Sequence, residues 1–192
     1  MNATSPSSSL NIEGRNPALT AAMGMVAGAI GVWALDRVDY FMWNREDPET
    51  RARTKAVRPH SEPPAGVMVT ELELASGRAL GGEEHEAAQT AVHYAIGIGP
   101  AAGYALVRDQ LPGGPARGLL YGLGVFLLQD EGINAVTRLG ADPRDYPWQA
   151  HARGLVSHLV YGLTTELALT AMDRMLGDGN GQDRNGRAHD DQ

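Results

Sequence analysis

Positions 18–35 carry no charged residue, and the run ends in Asp36-Arg37-Val38-Asp39. At ~1.5 Å rise per residue such a run makes ~27 Å of helix, close to the ~30 Å hydrocarbon thickness of a bilayer. A first helix is therefore predicted over 17–43, with Pro17 suited to its first turn. Trp33, Tyr40, Phe41 and Trp43 gather toward its far end, where aromatic residues anchor a helix at a headgroup layer. The preceding residues have no positive n-region fit for a signal peptide, the apolar run is long for one, and no A-x-A site follows, so the helix reads as retained.

The averages hide this pattern. Mean hydropathy is −0.26 and charged residues make up 20%, figures that fit a soluble domain. The charges, however, sit in 44–86, in short connections and in the tail, while glycine, present 24 times, lies inside apolar runs. Glycine placed that way is commoner in membrane helices than in soluble ones. The chain has no cysteine, which excludes disulfides, thiolate nucleophiles and Cys-ligated metals. A net charge of −7 without a sustained basic stripe gives nucleic-acid binding little support.

Three further apolar stretches predict spans over 83–107, 116–139 and 148–176. Pro100 lies inside the second, where neighbouring helices can accommodate it. Residues 44–64 are charged and proline-bearing and read as a loop. Positions 65–79 place Val67, Met68, Leu72, Ala75 and Ala79 at roughly helical spacing, which predicts a short interfacial amphipathic helix between spans one and two. Residues 1–16 read as a disordered polar leader and 177–192 as a disordered polar tail. The expected fold is all-α: a membrane-embedded four-helix bundle over 17–176, with both termini on one face and loop 44–82, which carries six basic residues, on the cytoplasmic side.

Gly24/Gly28, Gly99/Gly103 and Gly118/Gly122 repeat the small-xxx-small spacing in three candidate spans. Such stripes let helix backbones approach closely, within a bundle or between copies in a homo-oligomer.

Counting depth from one end of the bundle places Asp36, His93, Asp130, Glu131 and His158 at one level, each ~9–12 Å in. Asp39, Gln89, Asn134, His151 and Arg153 form a shallower surround. Ionisable groups at that depth cost ~2.5–3.5 kcal/mol each on insertion scales, so they face a bundle interior or a wet cavity. Four readings stay open: a proton or ion pathway or ligand pocket; a self-satisfied structural network; a metal centre drawing on His93, His158 and Asp130; and exposed helix ends. Glu166 lies ~12 Å deeper on the last span and reads as a lone carboxylate bonded, neutral, to a neighbouring helix. No HExxH, G-x-S-x-G, Walker or dinucleotide fingerprint is present, so the chain reads as non-enzymatic and no cofactor is required.

Trp33-Ala-Leu-Asp36 with Trp43 downstream, His93-Tyr94, Arg117-Gly-Leu-Leu-Tyr-Gly122 leading into Gln129-Asp130-Glu131, and His151-Ala-Arg-Gly154-Leu-Val-Ser-His158-Leu-Val-Tyr-Gly162 together resemble the YagU-like family. The resemblance covers most of 17–172 and implies a small multi-pass protein of the bacterial inner membrane, with a link to acid tolerance. It brings no catalytic residues with it. The functions it leaves are proton or ion handling by the His/carboxylate layer, metal binding or metalloenzyme chemistry at the same layer, and assembly through the glycine stripes. The partners expected are the lipid bilayer and a second copy of the chain.

Overall fold

The computed structural model describes residues 16–187, with side chains to 176. The leader (1–15) and the last residues of the tail (188–192) lie outside the described residues. The described secondary structure is helical throughout.

Helix α1 (Pro17–Trp43) starts where the Asn16 side chain accepts the Ala18 N–H at 2.9 Å. Residues 44–64, predicted as loop, instead contain α2 (Pro48–Val57) and a 3₁₀ turn over Pro59–Ser61. The Asp-Pro pair that reads as a turn is here a helix start. Asp47 caps α2 through the Thr50 N–H at 2.9 Å and the Thr50 hydroxyl at 2.5 Å, and Pro48 fills the first turn. Helix α3 (Pro64–Ser76) stops short of the predicted 79 because Gly77 turns left-handed at φ 66°.

Helix α4 (Gly82–Val107) matches the second predicted stretch within a residue. The third is not one regular helix. It divides into α5 (Pro115–Val125), a π-helical stretch over Phe126–Ile133 and a last turn α6 (Asn134–Val136), and Arg138 at φ 62° ends it before the predicted 139. Helix α7 is Trp148–Arg187.

Helix α1 packs along α4 and α7, α5 packs along α7, and α3 lies on α4. Backbone contact sets these packings. A Cβ at Gly24 would stand 2.6 Å from the Ala101 carbonyl, and one at Gly118 would stand 2.7 Å from the Gly162 carbonyl. A Cβ at Gly122 would overlap the carbonyl of His158. The predicted stripe on α4 is shifted by two positions. Gly99 and Gly103 have open space beside them, while Gly97, Ala101 and Ala105 face α1. Both sets have the four-residue spacing, and only the azimuth of the helix decides between them.

Two helices, Pro17–Trp43 and Trp148–Leu176, are long and apolar enough to cross a membrane. Both the surface and the interior mix apolar with polar side chains. Large apolar groups such as Met25, Ile30, Leu119, Leu120, Leu128 and Leu167 point outward. Arg153, Ser157, His158, Thr165 and Glu166 are buried. The small apolar core, Met23, Ala27, Tyr104, Ala105 and Leu169, lies toward the Pro17 end of α1.

Candidate functional site

The antiparallel run of α1 against α4 and of α5 against α7 brings side chains from distant positions to one level near the Trp43 end. His93 Nε2 on α4 donates to Asp36 Oδ1 on α1 at 2.8 Å. On α7, His158 Nδ1 lies 3.6 Å from Asp130 Oδ2 of the π stretch and donates to the Gly154 carbonyl at 2.9 Å. These four side chains line one cavity of about 690 Å³. Its remaining wall is mixed, with Val32, Leu35 and Ile96 beside Gln89 and Arg153.

Glu131, the fifth residue of the predicted layer, turns to a neighbouring cavity of about 120 Å³. There it meets His151 Nδ1 at 2.6 Å, and His151 Nε2 donates to the Pro143 carbonyl at 2.8 Å. Both imidazole nitrogens are thus engaged. Asp130, Asn134, Asp39 and Arg153 line both cavities, and Asn134 Nδ2 donates to Asp130 at 3.4 Å.

The shallower surround has a centre in Arg153, which is only 4% exposed. Its Nε donates to Asp39 at 2.9 Å, its Nη1 pairs with Glu46, and its guanidinium lies over the Trp43 ring at 4.7 Å. Trp43 marks the end of the first helix in the sequence, but Glu46 carries no depth or face signal there, and the contact of both with Arg153 becomes visible only once α1 is seen to end beside α7. Arg58 is also new to the site and lines both cavities from the far end of α2. Burial pushes its guanidinium below the usual arginine range, against the pull of Tyr146.

The π stretch matters to this geometry. A π turn carries one residue more than an α turn, and such turns collect at functional sites. Here it spans the segment that sends Asp130 toward His158 and Glu131 toward His151.

Glu166 departs from expectation. It is buried, but it is not lone. The Tyr104 hydroxyl donates to it at 2.7 Å, Arg108 Nη1 at 3.1 Å and Thr170 at 3.3 Å, and Arg117 Nη1 stands 3.5 Å away. Arg108 also pairs with Asp173. Arg108 sits at the α4–α5 turn and Arg117 in the first turn of α5. Their long side chains fold back onto α7.

Three tyrosines fill the space between the two polar regions. The Tyr121 hydroxyl donates to Tyr161 at 2.7 Å, and Tyr161, which lines the large cavity, donates to the Gly97 carbonyl at 2.6 Å. Tyr104 and Tyr121 stack at 4.0 Å with a 9° interplanar angle. Sequence reasoning assigned none of them.

Among the described residues, no group of three or more His, Asp or Glu side chains stands in metal-holding arrangement. The metal candidates divide between two ion pairs, His93 with Asp36 and His158 with Asp130. The site is a set of paired imidazoles and carboxylates around a cavity, an arrangement whose ordinary chemistry is protonation. No protein-family model, curated protein or solved structure matches the chain.

Proposed function

We propose that this chain is a four-span integral membrane protein, non-enzymatic, whose His/carboxylate cavity takes up and releases protons near one membrane face. The observation that carries the reading is the meeting of two imidazole–carboxylate pairs, from α1, α4, the π stretch and α7, on one 690 Å³ cavity. Unperturbed imidazole changes charge between about pH 5 and 8, so the balance of charge lining the cavity follows the proton concentration of the space it opens to.

The outward apolar side chains support the membrane placement. Leu106, Val107, Leu120, Leu127 and Leu128 extend an apolar exterior over α4, α5 and the π stretch, beyond the two helices that qualify as spans by composition. A surface this apolar is unsuited to water and matches hydrocarbon. The resemblance to the YagU-like family agrees with it and adds a bacterial inner-membrane location and a tie to acid tolerance.

The test is a pair of substitutions, His93→Gln and His158→Gln. In wild type, the fluorescence of Trp43 on the cavity wall titrates between about pH 5 and 8, and cells expressing the protein survive acid challenge better than those lacking it. The double variant loses both. An unchanged titration together with unchanged survival rejects the reading.

One observation favours a second role. Gly99 and Gly103 leave a flat, unoccupied strip on α4, the kind of surface on which two copies pack. Leucine at both positions then abolishes crosslinked dimers in native membranes, whereas persistence of those dimers removes this role.

A further inference from the structure

Two polar groups on the wall of the large cavity have no partner among the described residues. The first lies on α7, where Arg153, Ser157 and Tyr161 stand four residues apart and all line the cavity. They cover ~12 Å of helix from the Trp43 end inward. The Ser157 side chain is 1% exposed, and its hydroxyl is without a hydrogen bond. The second is Arg58. Helix α2 buries Thr50 and Thr54 on one stripe, and Arg58 follows four residues later at the wall the two cavities share. Pro59 after it holds its backbone extended, at φ −71° and ψ 138°. Arg58 is half-buried, and its buried Nε has no hydrogen-bond partner. No carboxylate among the described residues stands within ion-pair distance of it.

The acids around Arg58 are engaged elsewhere. Asp39 pairs with Arg153, Asp130 with His158, and Glu131 with His151 across the small cavity. Farther along the large cavity, Asp36 pairs with His93. With both imidazoles protonated, the large cavity is lined by five cations, Arg37, Arg58, Arg153, His93 and His158, against the three carboxylates Asp36, Asp39 and Asp130. Glu46 joins Arg153 from outside the lining, which leaves one cation in excess. Arg37 is exposed and lies over the Trp33 ring. The excess therefore falls on half-buried Arg58. A charge removed from water without a counter-charge is costly, so proton uptake turns this cavity into a site for one anion.

We infer that the cavity takes up a small organic monocarboxylate together with its protons, the carboxylate meeting Arg58 and the hydrocarbon part lying on the apolar wall of Val32, Leu35, Ile96 and Val125. The inference rests on the proton reading proposed above and supplies its counter-ion. A guanidinium presents a planar fork that fits a carboxylate with two parallel N–H bonds. The volume of about 690 Å³ is that of a pocket for a small organic molecule, far more than a monatomic anion fills. The Ser157 hydroxyl, one turn deeper than Arg153, offers a hydrogen bond to a further oxygen of the ligand or to a water that accompanies it. Affinity rises as pH falls through the imidazole range, because His93 and His158 gain charge while the carboxylate stays ionised down to about pH 4–5.

The test is calorimetry on the full chain purified in detergent, titrated with sodium butyrate, sodium chloride or butyramide at about pH 6 and about pH 8, either side of the imidazole range. Butyrate binds at the lower pH, binds more weakly at the higher, and outcompetes both controls. Titrations at the lower pH in buffers of different ionisation heat show protons taken up as butyrate binds. Butyrate that binds no more tightly than chloride or butyramide overturns the inference, and so does equal binding at both pH values without proton uptake. Neither result depends on a variant. Arg58→Gln loses about tenfold or more in butyrate affinity, the range for a hydrogen bond to a charged group. Arg174→Gln, at an exposed position on the opposite end, loses none. Unchanged affinity in an Arg58→Gln protein with wild-type circular dichroism overturns the assignment to Arg58. Trp43 fluorescence without butyrate reports the imidazoles alone. If it titrates between about pH 5 and 8 while butyrate fails to bind, the counter-ion is lost and the proton reading stands; if it does not titrate, both fall.

Discussion

The two ends of this molecule hold charge in opposite ways. At the Trp43 end, imidazoles face carboxylates across a cavity, and the sides of Asp36 and His93 are about 40% exposed (37% and 41%). At the other end Glu166 is clamped between Arg108, Arg117 and Tyr104, with its side chain 5% exposed. An imidazole gains or loses its proton in the physiological range, and a guanidinium does not. On the proposed function the first end changes state and the second keeps it. The same fold places a titratable, hollow region and a fixed, filled one at the two ends of the same helices.

The largest effect tests the fixed end. Glu166→Ala takes the shared carboxylate from buried Arg108 and half-buried Arg117, leaving them Asp173 and Asp109, and breaking a buried pair costs up to ~3–5 kcal/mol. Thermal unfolding in detergent should show that loss with little change between pH 5 and 8. A marked pH dependence would erase the distinction between the ends.

Helix packing is predicted to be alike at both ends, which isolates the polar chemistry as the difference. Gly118 seats α5 on α7 near Glu166, and Gly122 does so at the His158 carbonyl. Alanine at either should cost about 1–3 kcal/mol, the range for overpacking a tight contact. Alanine at Gly99, which has open space beside it, should stay within about 0.5 kcal/mol.

The cavity end should respond to pH through its imidazoles. Replacing His93 and His158 by Gln, which takes up no proton, should flatten the pH dependence of stability between about pH 5 and 8. Chemical denaturation at a series of pH values measures it.

The smallest effect lies outside the long helices. Glu73 accepts the Leu80 N–H at 2.5 Å and meets His85 at 2.9 Å, tying the end of α3 to the start of α4. The Leu80 amide, then His85, hold its carboxyl below the usual glutamate range. A carboxyl lowered on folding contributes stability that is present above its unfolded pKa and lost as pH falls through the folded one. Hydrogen exchange at the Leu80 amide should therefore accelerate on acidification below the usual glutamate range, and Glu73→Gln should remove that acceleration.

Much of this contrast was legible in the sequence at one end only. A residue count along each helix gives depth, and depth was enough to bring Asp36, His93, Asp130 and His158 to one level. It gives no azimuth, so Gly99 and Gly103 were chosen where Gly97, Ala101 and Ala105 face α1. Nor does it say how far a long side chain reaches, so neither Arg108, beside the turn, nor Arg117, at the start of the third span, was connected with Glu166, which read as a lone acid. Regular periodicity also hides a change of helix type. Nothing in the residues of Phe126–Ile133 announces the π turn.

The glycine contacts decide how such a molecule can deform. Gly24 and Gly28 seat α1 on α4, and Gly118, Gly122 and Gly162 seat α5 on α7, against backbone and Cβ atoms that have no freedom to yield. Gly31 fastens the two pairs to each other at Tyr161 and Thr165 of α7. Helices α4 and α5, by contrast, meet through the stacked rings of Tyr104 and Tyr121, and flat rings slide at little cost. The molecule is bound like a book, with α1 and α7 as the spine and α4 and α5 as the fore-edge, the stacked rings closing that edge and the Glu166 cluster pinning it to the spine.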